Sequence, residues 1–84
     1  MLAHIGYKNF IATGRVVAVV PYNSAPARRI RGDAIDEGRH VDCTNGNKTA
    51  SIIVLDNGTI VSSAFRSETL FDRLVIDKAK ESER

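Results

Sequence analysis

The dipeptide Asn-Gly occurs twice in the chain, as Asn45-Gly46 and Asn57-Gly58, each time between runs of strand-forming residues. Both residue types tolerate the positive φ angles of a type I′ turn, the tight reversal whose twist matches that of paired antiparallel strands. The two pairs therefore predict an antiparallel meander from residues 40–43, 48–55 and 59–65.

The preceding sequence adds shorter strands and a helix. Residues 2–5 and 10–12 read as strands around Gly6-Tyr7-Lys8-Asn9, and residues 15–20 are β-branched enough for a central strand beyond Thr13-Gly14. A helix is expected over residues 25–37. Ser24 can cap it, Pro26 suits a first turn whose N–H groups lack helical partners, and Gly38 can end it. Ala27, Ile30 and Ala34 share one face of this helix. Ser67 is placed to cap a short final helix that turns Leu70, Phe71, Leu74 and Val75 to the core. Residues 78–84 are mostly charged and read as a frayed or solvated tail. The fold class is thus α+β: one domain over residues 1–77, with a small antiparallel sheet of about five or six short strands carrying both helices.

A chain of 84 residues without tryptophan buries only about 60% of its unfolded surface, so assembly into a homo-oligomer is a natural source of further burial. Cys43 is the only cysteine, which excludes a disulfide framework and fits a cytoplasmic protein. Its place in an apolar run suits a small buried hydrophobe better than a nucleophile. The start, Met1-Leu2-Ala3-His4, lacks the pattern of a signal peptide, and no apolar run is long enough to cross a membrane. His4 and His40 lack closely spaced ligand partners, and the six glycines match neither a dinucleotide fingerprint nor a phosphate loop. No metal, cofactor, catalytic residue or small-molecule substrate is expected, and the carboxylates Asp33, Asp36, Glu37 and Asp42 read as a solvated helix end.

Charge points elsewhere. Residues 1–48 hold seven basic and four acidic side chains, against five and six in residues 49–84. Arg28, Arg29 and Arg31 crowd the opening of the first helix, where the macrodipole is already positive and cations are disfavoured unless an anion is near. Arg29 can reach Asp33, whereas Arg28 and Arg31 have no acidic neighbour three or four residues away. Phosphate is the obvious anion. Alternatively, these are ordinary exposed arginines, or they pair with a carboxylate from another segment. The turn Asn45-Gly46-Asn47-Lys48-Thr49 offers backbone N–H groups, the Lys48 ammonium and hydroxyl donors, although a plain polar hairpin turn reads the same way. Brought together, the two regions suit a nucleic-acid backbone, with Arg15 or Arg29 in support.

Several blocks in register also resemble the RemA family of bacterial extracellular-matrix regulators. They are His4-Ile5-Gly6-Tyr7-Lys8-Asn9, Arg15-Val16-Val17-Ala18-Val19-Val20, Ser24-Ala25-Pro26-Ala27-Arg28-Arg29, Val41-Asp42-Cys43-Thr44-Asn45-Gly46-Asn47-Lys48-Thr49, Ser67-Glu68-Thr69 and Arg73-Leu74. The resemblance implies a cytoplasmic DNA-binding transcriptional regulator of biofilm and matrix genes, without a cofactor. It further implies that the protomers form a ring whose exterior basic residues contact double-stranded DNA. Arg15 and Pro26 match family positions. The family turn Gly-Arg-Arg-Thr-Arg is here Gly46-Asn47-Lys48-Thr49-Ala50, while Arg31 and Arg39 are additional charges, which moves the expected surface toward the helix. The expected contact set is Arg15, Arg28, Arg29, Arg31, Asn47 and Lys48; the alternative is a ring-forming scaffold whose arginines serve subunit contacts.

Overall fold

The computed structural model describes the backbone of residues 1–82 and the side chains of residues 1–74. Strands β1 (Leu2–Gly6) and β2 (Asn9–Ala12) form an antiparallel hairpin, and a 3-10 turn (Thr13–Arg15) leads into β3 (Val16–Pro21). Helix α1 (Ala25–Asp36) is followed by β4 (His40–Asp42), β5 (Ser51–Leu55), β6 (Ile60–Ser63) and helix α2 (Ser67–Ser82). The content is α+β with two helices, as expected, but the strands form two sheets: β1-β2 alone, and a four-stranded sheet in the order β3-β5-β6-β4. The 3-10 turn causes the split. Thr13 is buried and donates its N–H (3.0 Å) and hydroxyl (3.3 Å) to the Met1 carbonyl, which closes the hairpin off before β3 begins.

The expected meander is corrected in one strand. β5 and β6 pair antiparallel, with Ile53 opposite Val61, but β4 pairs with the far side of β6 in parallel, His40 against Ile60. Residues 43–50 therefore cross the end of β6 instead of reversing tightly onto β5. The two Asn-Gly pairs divide the expected properties between them. Asn45 (φ 53°) and Gly46 (φ 81°) adopt the left-handed turn, with Asn47 N–H bonded to the Thr44 carbonyl at 3.0 Å, yet they join no paired strands. Asn57-Gly58 does join the β5-β6 pair, but only Gly58 (φ 86°) is left-handed, so the connection is a three-residue loop with a bulge.

Burial explains the layers. Ile52 and Ile53 are adjacent and both fully buried, which requires cover on both faces of the sheet because neighbouring side chains on a strand point opposite ways. Ile52 and Ile60 meet Ala27 and Ala34 of α1, with Ile30 packed alongside; this is the helix face read from sequence. Ile53 and Val61 meet Leu70 and Leu74 of α2 together with Ala3, Ile5 and Ile11 of the β1-β2 hairpin. The two helices thus lie on opposite faces of the four-stranded sheet.

α1 ends as expected: Ser24 Oγ accepts the Ala27 N–H at 3.3 Å, and Arg39 N–H reaches back to the Ala34 carbonyl at 2.8 Å past Gly38. At α2 the capping position belongs to Arg66, whose carbonyl accepts the Leu70 N–H at 3.1 Å, while the Ser67 hydroxyl donates to Glu68. Phe71, expected in the core, is 61% exposed. Val75 and the 78–84 tail lie outside the described side chains.

The β1-β2 hairpin turns through Tyr7 (φ 51°) and Lys8 (φ 64°), neither a glycine, after Gly6 at φ 115°. Ser63 ties the hairpin to β6 by donating to the Ile5 carbonyl at 2.8 Å. A Cβ at Gly6 would meet Phe65 at 3.4 Å in a backbone conformation L residues rarely adopt. Gly6→Ala is expected to destabilise the fold by about 1–3 kcal/mol, read as a lower urea midpoint with an unchanged slope.

Candidate functional site

The loop between β3 and α1, the segment after Gly46 and the start of α2 surround one open groove of about 690 Å³. Arg28, Arg31, Lys48 and Arg66 line it, with Tyr22, Thr49 and Glu68 among the other wall residues. The crossing of residues 43–50 over the end of β6 is what brings Lys48 from the turn region to the opening of α1.

Three of these cations are uncompensated. Among the described residues, Arg28, Lys48 and Arg66 make no ion pair or side-chain hydrogen bond, although the chain pairs cations elsewhere: Arg15 with Asp56 at 3.3 Å and Arg39 with Glu37 at 2.7 Å. Both Arg28 and Arg66 sit at helix starts, where the backbone adds positive potential. Among the described residues Glu68 is the single carboxylate on the groove wall, and its Oε1 already accepts the Ser67 hydroxyl at 2.9 Å. The resulting field favours a ligand with several negative charges.

Arg31 differs from the other three. Its guanidinium lies 5.5 Å from the Tyr22 ring centroid, and its Nε–H donates to Ser62 Oγ at 3.0 Å. It is therefore held, not free, and only its terminal nitrogens remain for a ligand. Ser62 Oγ is also 2.7 Å from His40 Nε2. Burial, then the Arg31 charge, hold the His40 ring below its ordinary pKa, while Asp42 opposes them.

Of the other expected contact residues, Arg15 lies outside the groove, at the end of the 3-10 turn beside Asp56. Arg29 is exposed beyond the groove wall, and no ion pair within 4.0 Å joins it to Asp33. Asn47 faces the hairpin tip instead: its Nδ2 donates to the Tyr7 hydroxyl at 2.7 Å. This bond fastens the β1-β2 hairpin to the segment bearing Lys48. Arg39 is committed to the Glu37 carboxylate and the Gly58 carbonyl. Sequence reasoning missed Arg66, although a cation at a helix start is the same signal that singled out Arg28.

Two further groups beside His40, Asp42 and Cys43, are also shifted. Thr44, through its hydroxyl (2.6 Å) and then its N–H (2.9 Å), holds the Asp42 carboxyl below its usual range. Burial, then Asp42, push the Cys43 thiol up, which disfavours the reactive thiolate.

Known proteins are similar to this chain along nearly its whole length. A regulatory relative from Nitratidesulfovibrio vulgaris (strain Miyazaki F) is 45% identical over 78 residues, covering 93% of this chain and 89% of its own length. One from Oleidesulfovibrio alaskensis is 46% identical over 74 residues, covering 88% of each chain. A third, from Synechococcus sp. (strain JA-2-3B'a(2-13)), is 42% identical over 82 residues, 98% of this chain and 92% of its own. All three are named "Putative regulatory protein". Residues 2–74, which span both sheets, α1 and the start of α2, match the family described as extracellular matrix regulatory protein A-like, and the chain belongs to this RemA-like family.

Proposed function

We propose that the protein is a non-enzymatic, DNA-binding transcriptional regulator of extracellular-matrix genes that works as a homo-oligomeric ring. The carrying observation is the groove in which Arg28, Lys48 and Arg66 make no ion pair among the described residues, beside an anchored Arg31. The family name and the names of the relatives support regulation as the role. Phosphate oxygens fit such a cluster, because they need charge and hydrogen-bond donors at no fixed base sequence. With three or four contacts, one protomer binds duplex weakly, in the nonspecific range of about 10⁻⁴ to 10⁻⁶ M. Repetition around a ring supplies the rest through effective concentration.

Assembly has its own support. β3 is an edge strand whose Val17 is 67% exposed, and Phe71 stands exposed on α2 beside a shallow apolar cleft lined by Val19. Such a surface is unusual for an isolated small domain. The same observation favours the second reading, a ring that scaffolds other proteins.

Salt separates the two. Fluorescence anisotropy with a labelled duplex should show log affinity falling linearly with log salt, by about 0.9 per phosphate contact. Affinity should also rise stepwise with duplex length, as successive protomers engage. Length-independent binding, or a flat salt response from an intact oligomer, rejects the DNA reading in favour of the scaffold.

A further inference from the structure

A buried hydroxyl separates Arg31 from His40. Ser62 is fully buried, and its Oγ contacts only the Arg31 Nε–H at 3.0 Å and His40 Nε2 at 2.7 Å among the described residues. A hydroxyl has one proton to give and two lone pairs to receive with. Arg31 occupies one lone pair, so neutral His40 completes the set by accepting the Ser62 proton. Protonated His40 must donate instead. Both lone pairs then face cations, and the proton of the fully buried Ser62 is left without an acceptor among the described residues.

The charges around the ring are few. Arg31 from α1 opposes its protonation and Asp42 from β4 favours it, while β6 presents the Ser62 hydroxyl. Neighbouring Arg39 is turned away toward Glu37 and the Gly58 carbonyl. Arg31 is also a wall residue of the groove, so one side chain faces both His40 and any bound anion.

We propose that His40 sets the anion affinity of the groove through Ser62 and Arg31. An anion seated on Arg31 offsets its charge and makes protonated His40 acceptable; reciprocally, protonated His40 strengthens the hold on the anion. This regulation rests on the reading of the groove as a phosphate-binding surface. Linkage makes the two effects equal: an anion that raises the His40 pKa by about half a unit tightens about threefold on His40 protonation. The sign is set by the geometry. Binding strengthens as pH falls through the His40 titration, and weakens as pH rises above it.

The test uses the full chain as wild type, His40→Gln and Ser62→Ala, checked for fold by circular dichroism. Each is titrated at pH about 7.5 and again below the wild-type His40 titration as located by NMR, because His40 is held below an ordinary histidine, with a mixed-sequence duplex and separately with inorganic pyrophosphate. NMR of the ring protons follows His40. The wild type should tighten about threefold or more on acidification relative to His40→Gln, whose amide can still bond Ser62 but cannot titrate. Ser62→Ala should blunt the response, and Arg31→Met should raise the His40 pKa in the free protein. Identical pH profiles for wild type and His40→Gln overturn the proposal, as does a His40 pKa indifferent to Arg31→Met. A His40-dependent response to pyrophosphate without any duplex binding upholds this coupling and removes the DNA reading.

Discussion

Ile53→Ala is expected to remove about 2–5 kcal/mol of folding stability, the range for truncating a fully buried branched side chain that leaves a cavity. A domain of this length holds about 4–13 kcal/mol in total, so the loss is a substantial share of the whole. Ile53 matters because it is fully buried where three components meet: the β1-β2 hairpin, the four-stranded sheet and α2. Its neighbour Ile52 holds the opposite face against α1. Urea unfolding followed by circular dichroism measures the loss. A loss under about half a kcal/mol, the size expected of an exposed substitution, would mean that the hairpin and α2 do not cover that face.

Combined substitution of Arg28, Lys48 and Arg66 by alanine is expected to abolish measurable duplex binding at physiological salt while sparing the fold. These side chains are exposed and make no ion pair among the described residues, so each replacement should change stability by less than about half a kcal/mol. Their effect on binding is multiplied by repetition. Where a duplex touches two protomers, six phosphate contacts disappear together, and the slope of log affinity against log salt should flatten by about 5. Arg15→Ala makes the contrast, since Arg15 stands apart beside Asp56 and should alter the slope by less than one contact. Analytical ultracentrifugation of the same preparations reports the assembly. Loss of the oligomer in the triple variant would assign these cations to subunit contacts and favour the scaffold.

Local signals were legible where local chemistry decides the outcome. Ser24, Pro26 and the Ala27, Ile30, Ala34 face defined α1, and the structure uses each as read. The turn at Asn45-Gly46 formed as its residues demand, but the choice of strand partner lies beyond any dipeptide. β4 gains the outer side of β6, and nothing between residues 40 and 50 encodes that preference. The layering was legible in a single strand. Consecutive apolar residues Ile52-Ile53-Val54 cannot all face one layer, so cover on both sides followed from the strand itself.

The candidate site divides in the same way. Absence of an acidic neighbour along a helix identified Arg28, which is uncompensated in the structure. Arg31 also lacks an acidic neighbour along the helix, yet it is held by Ser62, at sequence distance 31, and by the Tyr22 ring. Lys48 joined the groove only through the crossing loop. Asn47 is occupied by Tyr7, at sequence distance 40.

The parallel seat of β4 also imposes an order of events during synthesis. A ribosome delivers residues 40–42 well before Ile60–Ser63, so β4 emerges with no strand to receive it. Hairpin closure between β5 and β6 involves the shorter loop and is the faster event. Closure of β5 on β6 leaves the outer side of β6 as the edge to which β4 adds. Until β4 docks there, the segment that carries Lys48 to the groove is fixed to the sheet at its β5 end alone.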